Sequence, residues 1–251
     1  GKRFISQGLH VHIGINGPED AIKVNNALRI YLPLLLALTT SSPFFEGEDT
    51  GLHSYRTKLF EALPLAGMPD YLINWNHFEN LTKQLEDARI ISSVKDLWWD
   101  VRPHPGFGTV EVRVCDIPIN FKEIIALVAL IQALVVTLIK LDSYQDTHIQ
   151  ILQSNKWQAA RYGLNGVFVD PKTFKKLSMR KAIENLYILV EPAIPVWEAI
   201  TVFSPISTLC ATCIRLSNFT PFLIMVDPRV ARSIVVFAPI STLSSRTTLP
   251  R

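Results

Sequence analysis

Cysteine is scarce in this sequence, with 3 residues in 251. Cys115, Cys210 and Cys213 are too few and too unevenly placed for a disulfide framework, which favours a protein of the reducing cytoplasm. The last two form a C-A-T-C pattern without a second pair of cysteines or nearby histidines, so a zinc site is not expected there. Cys115 alternates with valines and is predicted to be a small buried residue.

Glycine-rich phosphate-binding motifs are absent as well. The sequence contains neither the Walker A pattern nor G-x-G-x-x-G, so any nucleotide would have to be held by a sheet and metal ions instead. The most apolar segment, 124–139, is interrupted by Gln132 and falls short of the roughly 20 residues that cross a bilayer. We therefore predict a buried helix there and no membrane partner.

Lysine and glutamate are both missing from residues 202–251, which contain five arginines and one acidic residue. Residues 1–201 then hold 20 basic and 21 acidic residues, a net charge of −1, which gives no reason to expect a nucleic-acid partner. The same C-terminal stretch repeats "VFSPISTL" as "VFAPISTL". The chain is expected to divide into a domain over 1–200 and an atypical tail over 201–251. That tail is a small separate unit, an unfolded extension or the product of a shifted reading frame.

Hydrophobic periodicity predicts a mixture of strands and helices. A strand is expected over 8–15, followed by a helix that begins at Pro18, where a first turn tolerates proline. Pro33 is expected to kink this helix or divide it in two. A long ordered loop, 41–56, comes next. Two further helices are predicted over 75–88 and 121–141, and a second strand is predicted between them over 109–115.

Both predicted strands carry polar residues on one face. In "GLHVHIGI", His10 and His12 lie two places apart, so both imidazoles leave a strand on the same side. Glu111 and Arg113 repeat this spacing in "TVEVRV", where the alternate positions are valines. Imidazole, carboxylate and guanidinium together suit a metal and phosphate site. Histidines hydrogen-bonded inside a sheet and a simple salt bridge between Glu111 and Arg113 are the alternatives, and the residues alone leave them open.

A further group of polar residues precedes the second strand. The segment "WWDVRPHPGFG", residues 98–108, contains Asp100, Arg102 and His104. These three are weaker candidates for a site. The aromatic residues around them are expected to anchor a loop rather than to stack on a base.

Four motifs follow one another along the chain: "GLHVHIGI", "YLPLLLALTTSSPFFEGEDTGLHSYR", "LWWDVRPHPGFGTVEVRVCDIP" and "QAARYGLNG". In this order they resemble the bacterial carboxylate-amine ligase family, also called type 2 glutamate-cysteine ligases. The resemblance runs through nearly all of residues 1–200. It implies a fold related to that of glutamine synthetase: an α+β domain with a curved, mostly antiparallel sheet packed against helices, of which this chain is expected to hold a part.

The resemblance implies an ATP-dependent ligase. ATP would phosphorylate a substrate carboxylate to an acyl phosphate, and the amine of a second amino acid would displace the phosphate to give an amide. Glutamate and cysteine are the implied substrates, with ATP and Mg²⁺ as the implied cofactors, in a reaction of glutathione biosynthesis.

The resemblance also implies roles for the residues of the two strands. His10 would be a metal ligand, and His12 would contact an ATP phosphate. Glu111 would ligate a second metal ion. Arg113 would face the transferred phosphoryl group and help to bind ATP. Glu111 and Arg113 are thus the candidate catalytic residues.

The loop motif carries the implied substrate contacts. Arg56 ends the S-P-F…G…G-x-x-S-x-R pattern and would grip the amino-acid carboxylate. Thr50 and Ser54 would assist it.

Two main hypotheses of function follow. In the first, the chain is a ligase with weak glutamate-cysteine ligase activity on small-molecule amino acids. The sequence does not determine the oligomeric state of this ligase, and a homodimer is one of the options. In the second, it is a truncated, non-catalytic remnant that binds nucleotide or a partner only. Family members open with a glutamate-bearing strand that completes the metal cluster, and Gly1 is expected to lie after it. A metal hydrolase ranks third, since histidine and glutamate can also activate water.

Overall fold

A five-stranded sheet and the helices on one of its faces form the centre of the molecule. The computed structural model describes residues 7–141, 146–193, 223–226 and 233–238. Its helices are α1 (Pro18–Leu28), α2 (Leu32–Thr39), α3 (Tyr55–Glu61), α4 (Trp75–Asp87), α5 (Phe121–Lys140), α6 (Ile149–Tyr162) and α7 (Met179–Val190). Its strands are β1 (Gly8–Gly14), β2 (Phe44–Phe45), β3 (Glu48–Asp49), β4 (Ala66–Gly67), β5 (Trp98–Trp99), β6 (Val101–His104), β7 (Thr109–Val112), β8 (Val167–Val169), β9 (Lys176–Ser178), β10 (Leu223–Val226) and β11 (Ser233–Ala238).

The strands of the main sheet follow the order β10-β11-β1-β7-β6. β7 is antiparallel to both β1 and β6, and β10 is antiparallel to β11, whereas β1 and β11 run parallel. This is the mostly antiparallel sheet, in an α+β fold, that the sequence predicts. The remaining strands form three small two-stranded sheets, β2-β3, β4-β5 and β8-β9.

The central strands separate apolar and polar side chains onto opposite faces. Leu9, Val11 and Ile13 of β1 are fully buried in the main hydrophobic core, together with Val110 and Val112 of β7. That core also includes residues of α1, α2, α5, α6 and α7. Because side chains alternate along a strand, the residues between these positions point to the opposite face. The helices therefore cover one face, and polar side chains collect on the other.

Proline divides the first predicted helix in two, as expected. α1 begins at Pro18 and ends at Leu28, and α2 begins at Leu32. The two helices are bent by 63° relative to one another. Pro33 lies in the first turn of α2, where its missing N–H leaves no intrahelical hydrogen bond unmade.

Helix α5 is long and apolar. By length and composition it could cross a membrane, and α1 with α2 would pass the same test as one bent span. Of the most apolar window of α5, 56% is buried inside the protein, and Ile124, Val128 and Ile131 belong to the main core. The core helix of a soluble protein has the same composition, so this weak signal gives no membrane assignment. The burial agrees with the buried helix predicted over 124–139.

Several elements are not indicated by the sequence pattern. Helices α3, α6 and α7 are absent from the prediction, and the loop 41–56 contains the hairpin of β2 and β3. The segment 98–108, expected to be a loop, instead forms β5 and β6. All four residues of β6 are buried, and one of them is Pro103. Because proline cannot donate a backbone hydrogen bond to a neighbouring strand, it argues against a strand here when the sequence is considered alone.

Two strands of the main sheet come from the stretch predicted to be an atypical tail. β11 pairs with β1 and with β10, so this part of the tail extends the sheet. Residues 236–238 of β11 belong to the second copy of the repeated octapeptide. The first copy, 202–209, and the C-A-T-C pattern lie outside the described residues. The division of the chain near residue 200 stays a prediction.

Candidate functional site

The polar face of the sheet brings together the residues predicted from β1 and β7. His12 lies directly opposite Glu111, and Arg102 of β6 lies opposite Glu111 on its other side. These three side chains form one row across the sheet, with His10 and Arg113 beside it. Nδ1 of His10 is 3.4 Å from Oε1 of Glu111. The two strands therefore present their polar residues to one shared place.

Glu111 is the centre of this polar face. Its Oε2 accepts a hydrogen bond from Nε of Arg102 at 2.7 Å, and its Oε1 accepts one from Nη1 of Arg113 at 2.5 Å. The residue is 2% exposed. Burial on its own would raise the pKa of Glu111, but the guanidinium groups of Arg113 and Arg102 hold that pKa well below its usual range. Glu111 is therefore ionised, and each of its two oxygens accepts a hydrogen bond from a guanidinium group.

Arg102 holds Glu111 in place from the side of β6. Its Nη1 lies 3.0, 2.8 and 2.7 Å from the backbone carbonyl oxygens of Val94, Lys95 and Leu97. These contacts fix the plane of the guanidinium and direct its Nε to the carboxylate. The sequence marks Arg102 only as a weaker candidate, because the segment that carries it is expected to be a loop.

Both histidines of β1 are neutral. Nδ1 of His12 is 2.9 Å from Oγ1 of Thr109, and its ring meets that of His104 edge-on at 5.5 Å. Burial lowers the pKa of His12 to about 4 and, aided by a neighbouring guanidinium, holds the pKa of His10 well below its ordinary value. Neutral imidazoles act here as hydrogen-bonding groups rather than as cations. His12 is only 3% exposed, which leaves little of it for an ATP phosphate in this conformation, and that role stays a prediction.

The residues of the polar face do not by themselves make up a magnesium site. Mg²⁺ prefers octahedral coordination by oxygen. Glu111 is the only carboxylate predicted to bind metal, and both of its oxygens already accept hydrogen bonds from guanidinium groups. Within the described ranges, no group of three or more His, Cys, Asp or Glu side chains could hold a metal ion. The metal-ligand roles expected for His10 and Glu111 therefore lack a complete set of donors.

Arg56, expected to bind the substrate carboxylate, is buried at the end of β7. Its Nη1 and Nη2 lie 3.3 and 3.1 Å from the carbonyl oxygens of Val114 and Arg113. Nη1 is also 3.6 Å from Oδ1 of Asp116, and the guanidinium lies over the ring of Phe60 at 5.1 Å. Arg56 thus ties α3 to the end of β7 in this conformation. Its contact with substrate stays a prediction.

The two hydroxyl groups predicted to assist Arg56 have partners within the protein. Oγ of Ser54 donates to Oδ1 of Asp116 at 3.0 Å, and Oγ1 of Thr50 donates to the carbonyl oxygen of Pro43 at 2.7 Å. Oδ2 of Asp116 accepts from Oγ of Ser42 at 2.7 Å. Asp116 therefore fastens the loop 41–56 to the end of β7. Asp116 is not among the residues singled out from the sequence, although it directly follows the strand predicted over 109–115, and an acidic residue in that place is a usable signal.

The "QAARYG" motif marks the place where α6 ends against the same loop. The carbonyl oxygen of Ala160 accepts the backbone N–H groups of His53 and Ser54 at 2.8 and 3.0 Å. Arg161 donates to the carbonyl oxygen of Gly51. The last carbonyl groups of a helix have no partner within the helix, so the loop satisfies them. Two motifs that are distant in sequence thus form one structural unit.

A second cluster of charges adjoins the polar face and is not indicated by the sequence. Nζ of Lys156, on α6, lies 2.7 Å from Oε1 of Glu61 and also pairs with Asp100. Lys156 is 1% exposed. A lysine in a helix usually extends into solvent, so nothing in the sequence suggests that this one is buried.

The sheet, the helices packed on one of its faces and the charged residues on the other form a fold that is found in a glutamate-cysteine ligase. The structure resembles the crystal structure of glutamate-cysteine ligase from Francisella tularensis in complex with AMP, with a TM-score of 0.51. The likeness covers 80% of this chain and 52% of that one; at 14% sequence identity it shows the fold alone. Residues 1–202 match glutamate-cysteine ligase family 2, and the chain belongs to this family.

Relatives assigned as glutamate-cysteine ligase 2 are similar over the same region. Identity is 46% over 188 residues with the protein of Gloeobacter violaceus, and the match covers 73% of this chain and 50% of that protein. For the protein of Solibacter usitatus, identity is 41% over 192 residues, and the match covers 75% of this chain and 50% of that protein. For the protein of Frankia alni, identity is 42% over 203 residues, and the match covers 78% of this chain and 51% of that protein. The chain therefore spans about half the length of the curated relatives it matches.

Proposed function

We propose that this chain contributes the polar sheet face of an ATP-dependent ligase that joins glutamate to cysteine through an acyl phosphate. Membership of glutamate-cysteine ligase family 2 supports the ligase class. The structural neighbour is a glutamate-cysteine ligase in complex with AMP, which supports a nucleotide as one ligand. The observation that carries the proposal is the placement of Arg113, Glu111 and His10 within hydrogen-bonding or ion-pair distance of one another on one sheet face.

The proposed reaction has two steps. An oxygen of the glutamate side-chain carboxylate attacks the γ-phosphorus of ATP, and the bond to the bridging oxygen of ADP breaks. The cysteine nitrogen then attacks the acyl carbon, the bond to phosphate breaks, and the nitrogen loses a proton to solvent. Charge on the phosphoryl group is the main obstacle in the first step, so a fixed cation beside it is the group required.

Arg113 is the residue suited to that task. Glu111 holds its Nη1 at 2.5 Å, and Nδ1 of His10 lies 3.3 Å from the same nitrogen. Its side chain keeps 14% of its surface exposed, whereas that of Arg102 keeps 5%. Arg102 therefore acts on Glu111 from inside the protein, and Arg113 is the guanidinium that a phosphoryl group can reach.

The test is turnover by the purified 251-residue chain with ATP, Mg²⁺, glutamate and cysteine. We expect equal amounts of phosphate and dipeptide, measured by phosphate release and mass spectrometry. Arg113→Ala is expected to lower the rate about 100-fold, because it removes a cation at the developing charge. Arg180→Ala, in which an exposed arginine of α7 is removed, is the matched control and is expected to leave the rate unchanged. Equal rates for the two variants would contradict the role of Arg113.

The incomplete set of metal donors favours a second candidate, a unit that binds nucleotide without turnover. Calorimetry with ATP, in the presence and absence of Mg²⁺, distinguishes the two. Dipeptide formation supports the ligase. Binding of ATP without dipeptide supports the second candidate, and failure to bind ATP contradicts both.

A further inference from the structure

Arg113 is the last residue of the polar face, and β7 ends one residue before it. Its backbone is held on both sides by groups outside that strand. Its N–H donates to the carbonyl oxygen of Asp100 at 2.7 Å, which also accepts the N–H of Val114 at 3.1 Å. The carbonyl oxygen of Arg113 accepts from Nη2 of Arg56 at 3.1 Å. The position of the Arg113 guanidinium therefore depends on where Asp100 and Arg56 are held.

Asp100 is held through its side chain. Its carboxylate pairs with Nζ of Lys156, and its own N–H donates to the carbonyl oxygen of Gly67 at 2.8 Å. Nζ of Lys156 makes a second ion pair with Glu61 at 2.7 Å. Three distant parts of the chain thus meet at one ammonium group: the end of α3, the residue between β5 and β6, and the middle of α6.

Lys156 is charged in spite of its burial. Desolvation alone would lower the pKa of Lys156, but the carboxylates of Asp100 and Glu61 raise it above its ordinary value. The Glu61 side chain is 29% exposed, so it is partly solvated, whereas that of Asp100 is 11% exposed. Asp100 is consequently the partner that depends more on Lys156 for the neutralisation of its charge.

We propose that Lys156 is a positioning residue for Arg113, acting through Asp100. The ammonium group fixes the Asp100 carboxylate, the Asp100 carbonyl oxygen fixes the Arg113 N–H, and the guanidinium is thereby directed to Glu111 and His10 on the polar face. Lys156 does not touch the polar face itself. Its effect on turnover rests on the proposed function, but its effect on the position of Arg113 does not.

The variant that tests this is Lys156→Met, which keeps the length of the side chain and removes its charge. Two observables report on Arg113 without any assay of activity: hydrogen exchange of its backbone amide, and the NMR signal of its Nε–H group. We expect the amides of Arg113 and Val114 to exchange about tenfold faster relative to core amides of β1, and the Nε–H signal to shift. Lys156→Arg is expected to restore both values.

Two control variants separate positioning from general loss of stability. Leu152→Ala removes a fully buried side chain from the same helix and leaves the charged groups of Lys156 and Asp100 in the protein, so it is expected to lower stability with no selective change at Arg113. Glu61→Gln keeps the ion pair between Lys156 and Asp100 and is expected to leave the Arg113 signals close to those of the unmodified protein. Should Lys156→Met fail to fold, Asp100→Asn removes the same ion pair with little change in volume and is expected to give the same selective changes.

The turnover measurement gives a second, separable result. Where the chain is active, Lys156→Met is expected to lower kcat between about 10- and 100-fold with little change in the KM for glutamate, because Arg113 acts on the transferred phosphoryl group. An inactive unmodified chain would count against the proposed function, and the NMR observables would still decide the role of Lys156. Arg113 signals in Lys156→Met, or in Asp100→Asn, that match those of the unmodified protein would overturn the positioning role.

Discussion

At the scale of single residues, Glu111 has the most distinctive environment on the polar face. It is a buried carboxylate with a guanidinium on each oxygen and two neutral imidazoles beside it. The attraction within such a group must offset the cost of removing several charges from water, so it adds little to stability as a whole. Removing one member is different, because the remaining charges then stay buried without partners.

Replacement of Glu111 by glutamine keeps the shape of the side chain and removes its charge. We expect the free energy of unfolding to fall by about 3 kcal/mol, because two guanidinium groups lose their counter-charge. Urea denaturation followed by circular dichroism measures this loss. The matched control is Glu184→Gln, which breaks an ion pair with Lys181 whose side chains are 55% and 62% exposed. For this exposed pair we expect a loss below about 1 kcal/mol. Similar losses in both variants would show that the carboxylate is not the centre of the charge network.

At the scale of elements, strand β1 serves both faces of the sheet at once. Its alternate residues enter the hydrophobic core, and the residues between them carry the two histidines. The strand also begins with a close approach to α3: a Cβ atom at Gly8 would lie 2.5 Å from Cζ of Arg56. Arg56 is buried and donates to two carbonyl oxygens beyond the end of β7, so a displacement of its guanidinium would break these hydrogen bonds.

Gly8→Ala is therefore expected to lower the free energy of unfolding by about 1 to 3 kcal/mol through overpacking. Gly14→Ala provides a control on the same strand and the same face, because a Cβ atom there meets nothing within 4 Å. For this second variant we expect a change within about 0.5 kcal/mol. Thermal unfolding of both proteins measures the difference. If the Gly8→Ala protein is as stable as the Gly14→Ala protein, the Arg56 side chain can move away from β1 at little cost. Such mobility is what the substrate-binding role predicted for Arg56 would require.

At the scale of the whole molecule, the sheet places its apolar face under helices and buries a set of ionisable groups on the other. Burial lowers the pKa of His12 to about 4 from its ordinary value of 6.5. The unfolded chain thus takes up a proton at a higher pH than the folded chain does. Stability is then lost as the pH falls from about 6.5 towards about 4, and the lowered pKa of Glu111 acts in the same direction at still lower pH.

We expect His12 alone to account for about 3 kcal/mol of this loss between neutral pH and about pH 4. Urea denaturation across that range measures the dependence. His12→Asn keeps a partner for Thr109 and removes the titrating ring, so stability should fall less steeply with decreasing pH. An unchanged slope in this variant would show that His12 is not held neutral by burial.

Local geometry made much of this protein predictable from its sequence. Side chains two apart on a strand share a face whatever the rest of the chain does, which is why His10 could be placed with His12, and Glu111 with Arg113. Prolines at helix starts and the apolar periodicity of α1, α4 and α5 were informative for the same reason. The motifs identified the ligase family, because residue types and spacings survive in sequence even where their contacts are unknown.

Only the tertiary structure decided how the charges are shared. The pairing of Arg102 with Glu111 and the burial of Lys156 between Asp100 and Glu61 depend on which strands lie side by side and which helix packs over them. The sequence alone determined that imidazoles, a carboxylate and a guanidinium occur at strand spacing. The folded chain decided that the carboxylate is already neutralised by two cations, since competition among partners in a low-dielectric interior is settled by distance and burial.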